Sequence, residues 1–311
     1  MSATQSGAEV EDTYAEAFRS IFAEVLVTAR DRVWLDHAIQ AATGNASSSI
    51  LCDCEAGLDR YVGPGGDESF PTPDGRPGAI LQFHVPRFHK DRAARLEKAL
   101  LVRLSQNVLT CPTAACFNLL DTPEYFKLGR KIAYFGDGWQ FRDERFGRKV
   151  WVVPILCGEF VLDRRFGYRD GLMGGNLWLM GDTLDSALLA AERGRDAAAQ
   201  TPGVIMPFPG GLAWSGSKAG SKYSFTIAST YEKFCPTLRE KLGDKSGVPA
   251  GVAAVMEIII NGVDLPTIAQ ATQNAIAALK DTPGLVKVTA GNYGGRLGKS
   301  FIWLHPDKHP A

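Results

Sequence analysis

What this sequence lacks first is an excess of charge of one sign. Lys+Arg and Asp+Glu each number 34 in 311 residues, so the formal net charge is zero. A nucleic-acid binder carries a basic surplus that pairs with phosphates and releases counterions, and neither half of this chain is strongly basic, so nucleic acid is not expected as a partner. Long apolar runs are missing as well. Stretches such as Gly251 to Met256, before Glu257, fall far short of the roughly 18 residues a spanning helix needs, which argues against a membrane segment. The opening MSATQSGAEVEDT is small, polar and acidic, unlike a secretory leader, so a cytoplasmic location is expected. Cys52, Cys54, Cys111, Cys116, Cys157 and Cys235 are scattered through a chain long enough to fold without staples and are expected to be reduced thiols.

The usual signatures of metal and covalent catalysis are scarce. Cys52-Asp-Cys54 and Cys111 to Cys116 lack the paired spacing of zinc sites, and His84 with His89 is not a helical i,i+4 pair, so no metal is expected. Only five histidines exist, two of them in a tail, His305 to Ala311, that is expected to fray. No Ser or Cys stands in a nucleophile elbow. Gly298-Lys299-Ser300 looks like part of a phosphate-binding loop, but Tyr293 stands where that motif needs its first glycine, and Phe301-Ile-Trp-Leu reads as a strand.

What is present is a folded chain of about two domains: 45% apolar and 22% charged residues are ordinary for globular proteins. Sliding the second half against itself by 81 residues exposes a repeat. Leu177-Trp-Leu-Met-Gly181-Asp-Thr183 lies over Ile258-Ile-Ile-Asn-Gly262-Val-Asp264, in each case an apolar strand, a glycine and a helix-capping residue. Leu184, Ala187, Leu188, Ala191 and Ala198 in one copy, and Leu265, Ile268, Ala269, Ile276 and Leu279 in the other, recur at helical spacing. Thr201-Pro-Gly and Thr282-Pro-Gly then break the helices and launch second strands that run out at Gly210 and Gly291. Two βαβ units sharing one antiparallel sheet, with both helices on one face, make a split βαβ or ferredoxin-like domain, with 212–249 as an insertion between them. The first half reads as α+β, with strands near Val25, from Ser49 to Cys52 and from Ala79 to Val85, and helices from about Arg32 to Ala42 and Lys90 to Leu104. The division is expected at 1–156 and 157–311, within the strand-rich stretch from Lys149 to Phe160.

Glu257 interrupts Val252-Ala-Ala-Val-Met-Glu-Ile-Ile-Ile260, a strand that otherwise looks buried. A carboxylate there is paired, protonated or useful, because burying a lone charge is costly, and desolvation would carry its pKa toward the range of a general acid or base. A water-facing edge and a structural ion pair are the competing readings. Glycine, at 33 residues, is the one compositional excess. Pro207-Phe-Pro-Gly210-Gly211, the run Ser215-Gly216-Ser217-Lys218 on to Lys222, and Ala290-Gly-Asn292-Tyr293-Gly294-Gly295 all follow strand ends. Their backbone N–H groups, with Lys218 or Lys222, could hold anionic ligand groups; plain turns are the alternative for each.

These segments, together with Thr72-Pro-Asp74-Gly-Arg76-Pro-Gly78, Leu109-Thr-Cys-Pro-Thr113, Phe135-Gly-Asp-Gly138, Gly158-Glu-Phe160 and Cys235-Pro-Thr-Leu238, closely resemble the formylmethanofuran:tetrahydromethanopterin formyltransferases of methanogenic archaea and methylotrophic bacteria. The resemblance runs from Glu11 to Leu304. It implies two ferredoxin-like lobes, a homotetramer built as a dimer of dimers, and direct formyl transfer between formylmethanofuran and tetrahydromethanopterin as carrier substrates, with no tightly bound cofactor. It places the catalytic glutamate at Glu257 and carrier contacts at Asp74, Arg76, Pro207, Gly210, Gly211, Ser215 to Lys218 and Asn292 to Gly295; for the oxyanion of such a transfer, backbone N–H groups of the glycine loops or a side chain such as Asn292 are the candidates. Association with hydrolase-complex subunits that release formate is a second implied setting, and a non-catalytic ferredoxin-like binding module a remote third. Cys52-Asp-Cys54, Cys157 and Trp214 depart from the family pattern, changes expected to bear on carrier preference.

Overall fold

The structure, a computed structural model, describes residues 7–309. It separates into two compact units: Arg19–Gly171, and the chain up to Phe18 together with everything from Leu172 onward. Residue 156, where the sequence division is expected, lies at the tip of a hairpin whose arms pair as far as Ile155 and Gly158. Ladder hydrogen bonds keep those arms together, so the hairpin stays in one unit.

The unit Arg19–Gly171 contains β1 (Tyr14–Thr28, its first residues on the other side of the division), α1 (Arg32–Thr43), β2 (Glu55–Val62), β3 (Gly78–Pro86), α2 (Arg92–Arg103) and β4 (Ala115–Asn118). They are followed by β5 (Phe141–Arg145), β6 (Arg148–Ile155) and β7 (Gly158–Asp163). The strands β2, β3, β1 and β4 lie in that order with antiparallel neighbours, and β7 then joins β4 in parallel. Period-two alternation sends Val25, Val27, Leu81 and Phe83 into a core with Leu35 of α1 and Leu96 and Leu100 of α2. The strand expected from Ser49 to Cys52 is a turn. Cys52 N–H donates to the Ser48 carbonyl at 2.9 Å, and Ser49 donates through both N–H and hydroxyl to Glu55, local bonds that compete with a ladder. The strand begins only at Glu55.

The other unit contains β8 (Arg169–Gly181, its first three residues on the other side of the division), α3 (Leu184–Ala198), β9 (Val204–Ile205), β10 (Ala254–Gly262), α4 (Leu265–Ala278), β11 (Leu285–Thr289) and β12 (Ser300–Trp303). Its central strands run β9, β10, β8, β11, every neighbour antiparallel. The two helices start 81 residues apart and are capped alike: Thr183 accepts from Ser186 N–H at 3.1 Å, Asp264 from Thr267 N–H at 2.9 Å. Small residues on the helices, Ala187, Ala190, Ala191, Ala271 and Ala275, pack with Leu177, Leu179, Ile258 and Ile260 of the strands. Glu9–Val10 extends the sheet beside β11, and β12 pairs with the start of β1. The tail is tied down rather than frayed through His309: His305 Nε2 donates to the Val10 carbonyl at 2.8 Å, and His309 stacks on Trp303 and donates to Asp12. Pro310 and Ala311 lie outside the described residues. No helix among the described residues is long and apolar enough to cross a membrane.

Candidate active site

Glu257 sits mid-strand in β10, directly opposite Trp178 of β8 in the antiparallel register. Side chains alternate along a strand, so Asn176, two residues before Trp178, shares its face. Both aim at one carboxylate oxygen. Trp178 Nε1 donates to Glu257 Oε1 at 2.8 Å and Asn176 Nδ2 donates to the same atom at 3.2 Å. On the other side of β10, Ala213 at the start of the insertion exchanges backbone bonds with Glu257. The result is a carboxyl group only 6% exposed, not an edge group facing water. Burial pushes its pKa up to about 7, against the opposing pull of the Trp178 and Asn176 donors. Its partners are neutral, so the energetics are those of a desolvated acid and not of an ion pair.

An aromatic wall flanks it. Phe234 and Tyr231 of the insertion meet Trp178 edge-on at 4.1 and 5.2 Å between centroids, and Tyr231 stacks on Tyr293 at 5.7 Å. A crevice of about 40 Å³ reaches Glu257 between this wall and Ser215-Gly216, and Tyr231 also lines a larger cavity of about 340 Å³ bordered by Lys218, Tyr293 and Arg296. Gly216 adopts φ +55°, and a Cβ built there would lie 4.0 Å from Glu257 Oε2, so the second carboxylate oxygen faces this turn. Lys218 is paired with Glu232 at 2.5 Å. Burial, with the Glu257 charge added, pushes the Tyr293 hydroxyl far above its ordinary range, and that hydroxyl donates to the Ser217 carbonyl at 3.2 Å. The crevice can take a small polar reacting group and offers it a carboxyl, while the larger cavity offers stacked rings and two cations.

The other expected contacts distribute unevenly. Ser215 and Gly216 line the crevice and Lys218 and Tyr293 the cavity, with Ser217 joining them through its carbonyl. Three backbone N–H groups of the 290–295 loop are taken by the protein itself: Tyr293 and Gly295 donate to Glu16 at 2.6 and 2.7 Å, and Gly294 donates to Asn292 at 2.9 Å. Asn292 Nδ2 donates to Thr13 Oγ1 at 3.3 Å, and Asn292 does not line the crevice at Glu257. Gly210 and Gly211 belong to a short turn, Pro209–Gly211, whose Gly210 carbonyl accepts from Arg195 at 2.9 Å, and Pro207 lies just before it. Asp74 and Arg76 belong to the other compact unit and pair with each other at 2.7 Å, with Thr28 bonded to both.

Sequence reasoning missed Asn176, Trp178, Tyr231 and Glu16. Asn176 could have been found, because it stands 81 residues before Glu257 and is its counterpart in the repeat. Trp178 follows from period two once the register is known. Glu16 gave no signal: it is separated by about 280 positions from the loop whose N–H groups it binds. Burial would raise its carboxyl, but four backbone donors outweigh that and hold it below the usual carboxylate range. Among the described residues no group of His, Cys, Asp or Glu is gathered to hold a metal ion.

A family profile described as formylmethanofuran-tetrahydromethanopterin formyltransferase matches residues 3–155, and one described as its proximal lobe matches residues 158–306. The chain is 46% identical to the formylmethanofuran–tetrahydromethanopterin formyltransferase of Archaeoglobus fulgidus, over 96% of this chain and 98% of that one. With the protein of the same name from Methanocaldococcus jannaschii it shares 45% identity over 94% of this chain and 96% of that one. Among solved structures it resembles the formyltransferase of Methanosarcina barkeri, with TM-score 0.89, 43% identity and coverage of 96% and 97%. It also resembles a chain of the formyltransferase/hydrolase complex of Methylorubrum extorquens, solved with methylofuran, with TM-score 0.86, 37% identity and 95% coverage of each.

Proposed function

The chain belongs to the formylmethanofuran–tetrahydromethanopterin formyltransferase family, and from that membership we propose how it moves its cargo. The protein is an acyltransferase that exchanges a formyl group between the amine of methanofuran and N5 of tetrahydromethanopterin, the two carriers being its substrates. The attacking amine adds to the formyl carbon, the carbonyl electrons move onto oxygen, and collapse of that tetrahedral species expels the other amine. One amide bond forms as one breaks, so nothing is oxidised or reduced.

In our reading Glu257 takes the proton from the attacking nitrogen and returns it to the leaving one. What supports this is a single observation: a buried carboxyl with only neutral partners, pushed up to about 7, beside a crevice. A group titrating near neutrality both accepts and gives back a proton readily. The backbone around Ser215 and Gly216 is the proposed cradle for the oxyanion, and the cavity of Lys218, Tyr231, Tyr293 and Arg296 a proposed seat for a carrier. Holding both carriers in contact can supply on the order of 7 to 11 kcal/mol of the barrier. Asp74, Arg76, Pro207, Gly210, Gly211, Asn292, Gly294 and Gly295 are retained as carrier-facing positions on family likeness alone. The strand orders of the two units support reading each as a ferredoxin-like lobe. A cytoplasmic homotetramer remains part of the proposal.

Likeness to a chain of the Methylorubrum complex favours a second setting, in which partner subunits hydrolyse the product to formate. One assay separates the readings. Purified protein mixed with formylmethanofuran and tetrahydromethanopterin should change the pterin absorbance with no formate released. Failure of the pterin signal without added subunits would favour the complex.

A further inference from the structure

We infer that Asn176 is the positioning residue of this transfer site: its amide clamps one oxygen of Glu257 and leaves the other, Oε2, as the atom that meets the reacting nitrogen. The inference rests on the reading of Glu257 as the proton carrier. The amide cannot turn around. Its Oδ1 accepts from the Gly291 N–H at 2.8 Å, a group that can only donate, so the NH₂ end must face Glu257. Trp178 adds a second donor to the same Oε1, so both hydrogen bonds converge on one oxygen while Oε2 faces the Gly216 turn. Gly291 completes the clamp by having no side chain. A Cβ there would lie 2.6 Å from Asn176 Nδ2 and would displace the amide.

The repeat explains where the clamp came from. Asn176 and Glu257 are equivalent positions of the two βαβ copies, on β8 and β10, and they bond each other. One copy supplies the acid and the other the group that holds it, and the first residue past the second strand of a copy, Ala290, leads directly into the glycine that locks the holder. The other titratable groups facing this place are Tyr231 and Cys235 of the insertion and Tyr293, with the Lys218–Glu232 ion pair and Arg296 farther along the cavity.

The hydrogen bond from Asn176 favours the ionised carboxyl, so losing it moves the titration of Glu257 to higher pH. The test is the pH profile of kcat for Asn176→Ala and for Gly291→Ala, which removes no hydrogen-bonding group, with Glu257→Gln as reference. The inflection that Glu257→Gln abolishes should move up by about one unit in both variants, a tenfold smaller ionised fraction on its acid side. KM for both carriers should stay within about threefold, as a group acting only through Glu257 requires. Lower activity with an unmoved inflection in both variants would overturn the inference and make Asn176 merely structural. An inflection that survives in Glu257→Gln would instead remove the reading of Glu257 itself.

Discussion

Glu257 and Glu16 are two buried carboxyl groups in the same compact unit with opposite surroundings, one held by two neutral side chains and the other by four backbone N–H groups. Their substitution should therefore read out differently. Glu257→Gln keeps the shape and removes the base, so turnover should fall about 10² to 10⁴-fold with carrier KM little changed, measured by the pterin absorbance. Its stability effect has a definite sign. A carboxyl raised from 4.5 to about 7 contributes stability fully below pH 4.5 and loses it as pH rises through 7. The amide cannot ionise, so Glu257→Gln should match the parent below pH 4.5 and exceed it above pH 7 by on the order of 3 kcal/mol. Glu16→Gln should do the reverse. Its folded pKa is lowered, so the stability it lends is present above 4.5 and lost as pH falls through the folded value. Denaturant titrations of both variants across this range would expose parallel curves if the two environments were wrongly described.

At the scale of elements, the repeat makes a symmetric expectation. α3 and α4 open with equivalent caps, Thr183 and Asp264, each taking the N–H three residues on. Thr183→Ala and Asp264→Ala should each cost about 1 kcal/mol, read as a lowered denaturant midpoint, and their costs should add because they cap separate helices. The insertion between the two copies breaks the symmetry where function needs it. The second copy's strand pairs with the insertion's first residues at Ala213, and at that position the carboxyl of Glu257 stands where the first copy has the amide of Asn176. The periodicity of strands and helices was legible because each is a local pattern. The Ser49–Cys52 turn was not legible because a short serine-rich segment suits strand or turn alike, and the side-chain acceptor of Glu55, six residues on, decided it.

For the whole molecule, the proposal of a homotetramer draws on large side chains left open to solvent. Trp139 is 79% exposed, Phe225 83%, and Leu156 fully so at a hairpin tip. In the proposed assembly these side chains are the candidates for contact between copies. Light scattering should return a dimer or tetramer, and an active monomer of 33.6 kDa would sink the assembly proposal. Trp139→Asp and Leu156→Asp should shift the distribution toward smaller species if these residues lie in an interface.

By itself the sequence determined the α+β class, the doubled βαβ pattern with its caps and Pro-Gly breaks, and the singular position of Glu257. All of these are local: they depend on spacing within some tens of residues or on an internal repeat, and short-range backbone preferences write them directly into the chain. Family likeness added the reaction. Only the tertiary structure decided that Glu257 is buried without a counter-ion, that Asn176 and Trp178 share one of its oxygens, and that Glu16 takes the N–H groups of a loop near the other end of the chain. Each depends on strand register and on pairing between segments remote in sequence. A one-residue slip in β8 would turn Trp178 and Asn176 away from Glu257 without altering any local propensity.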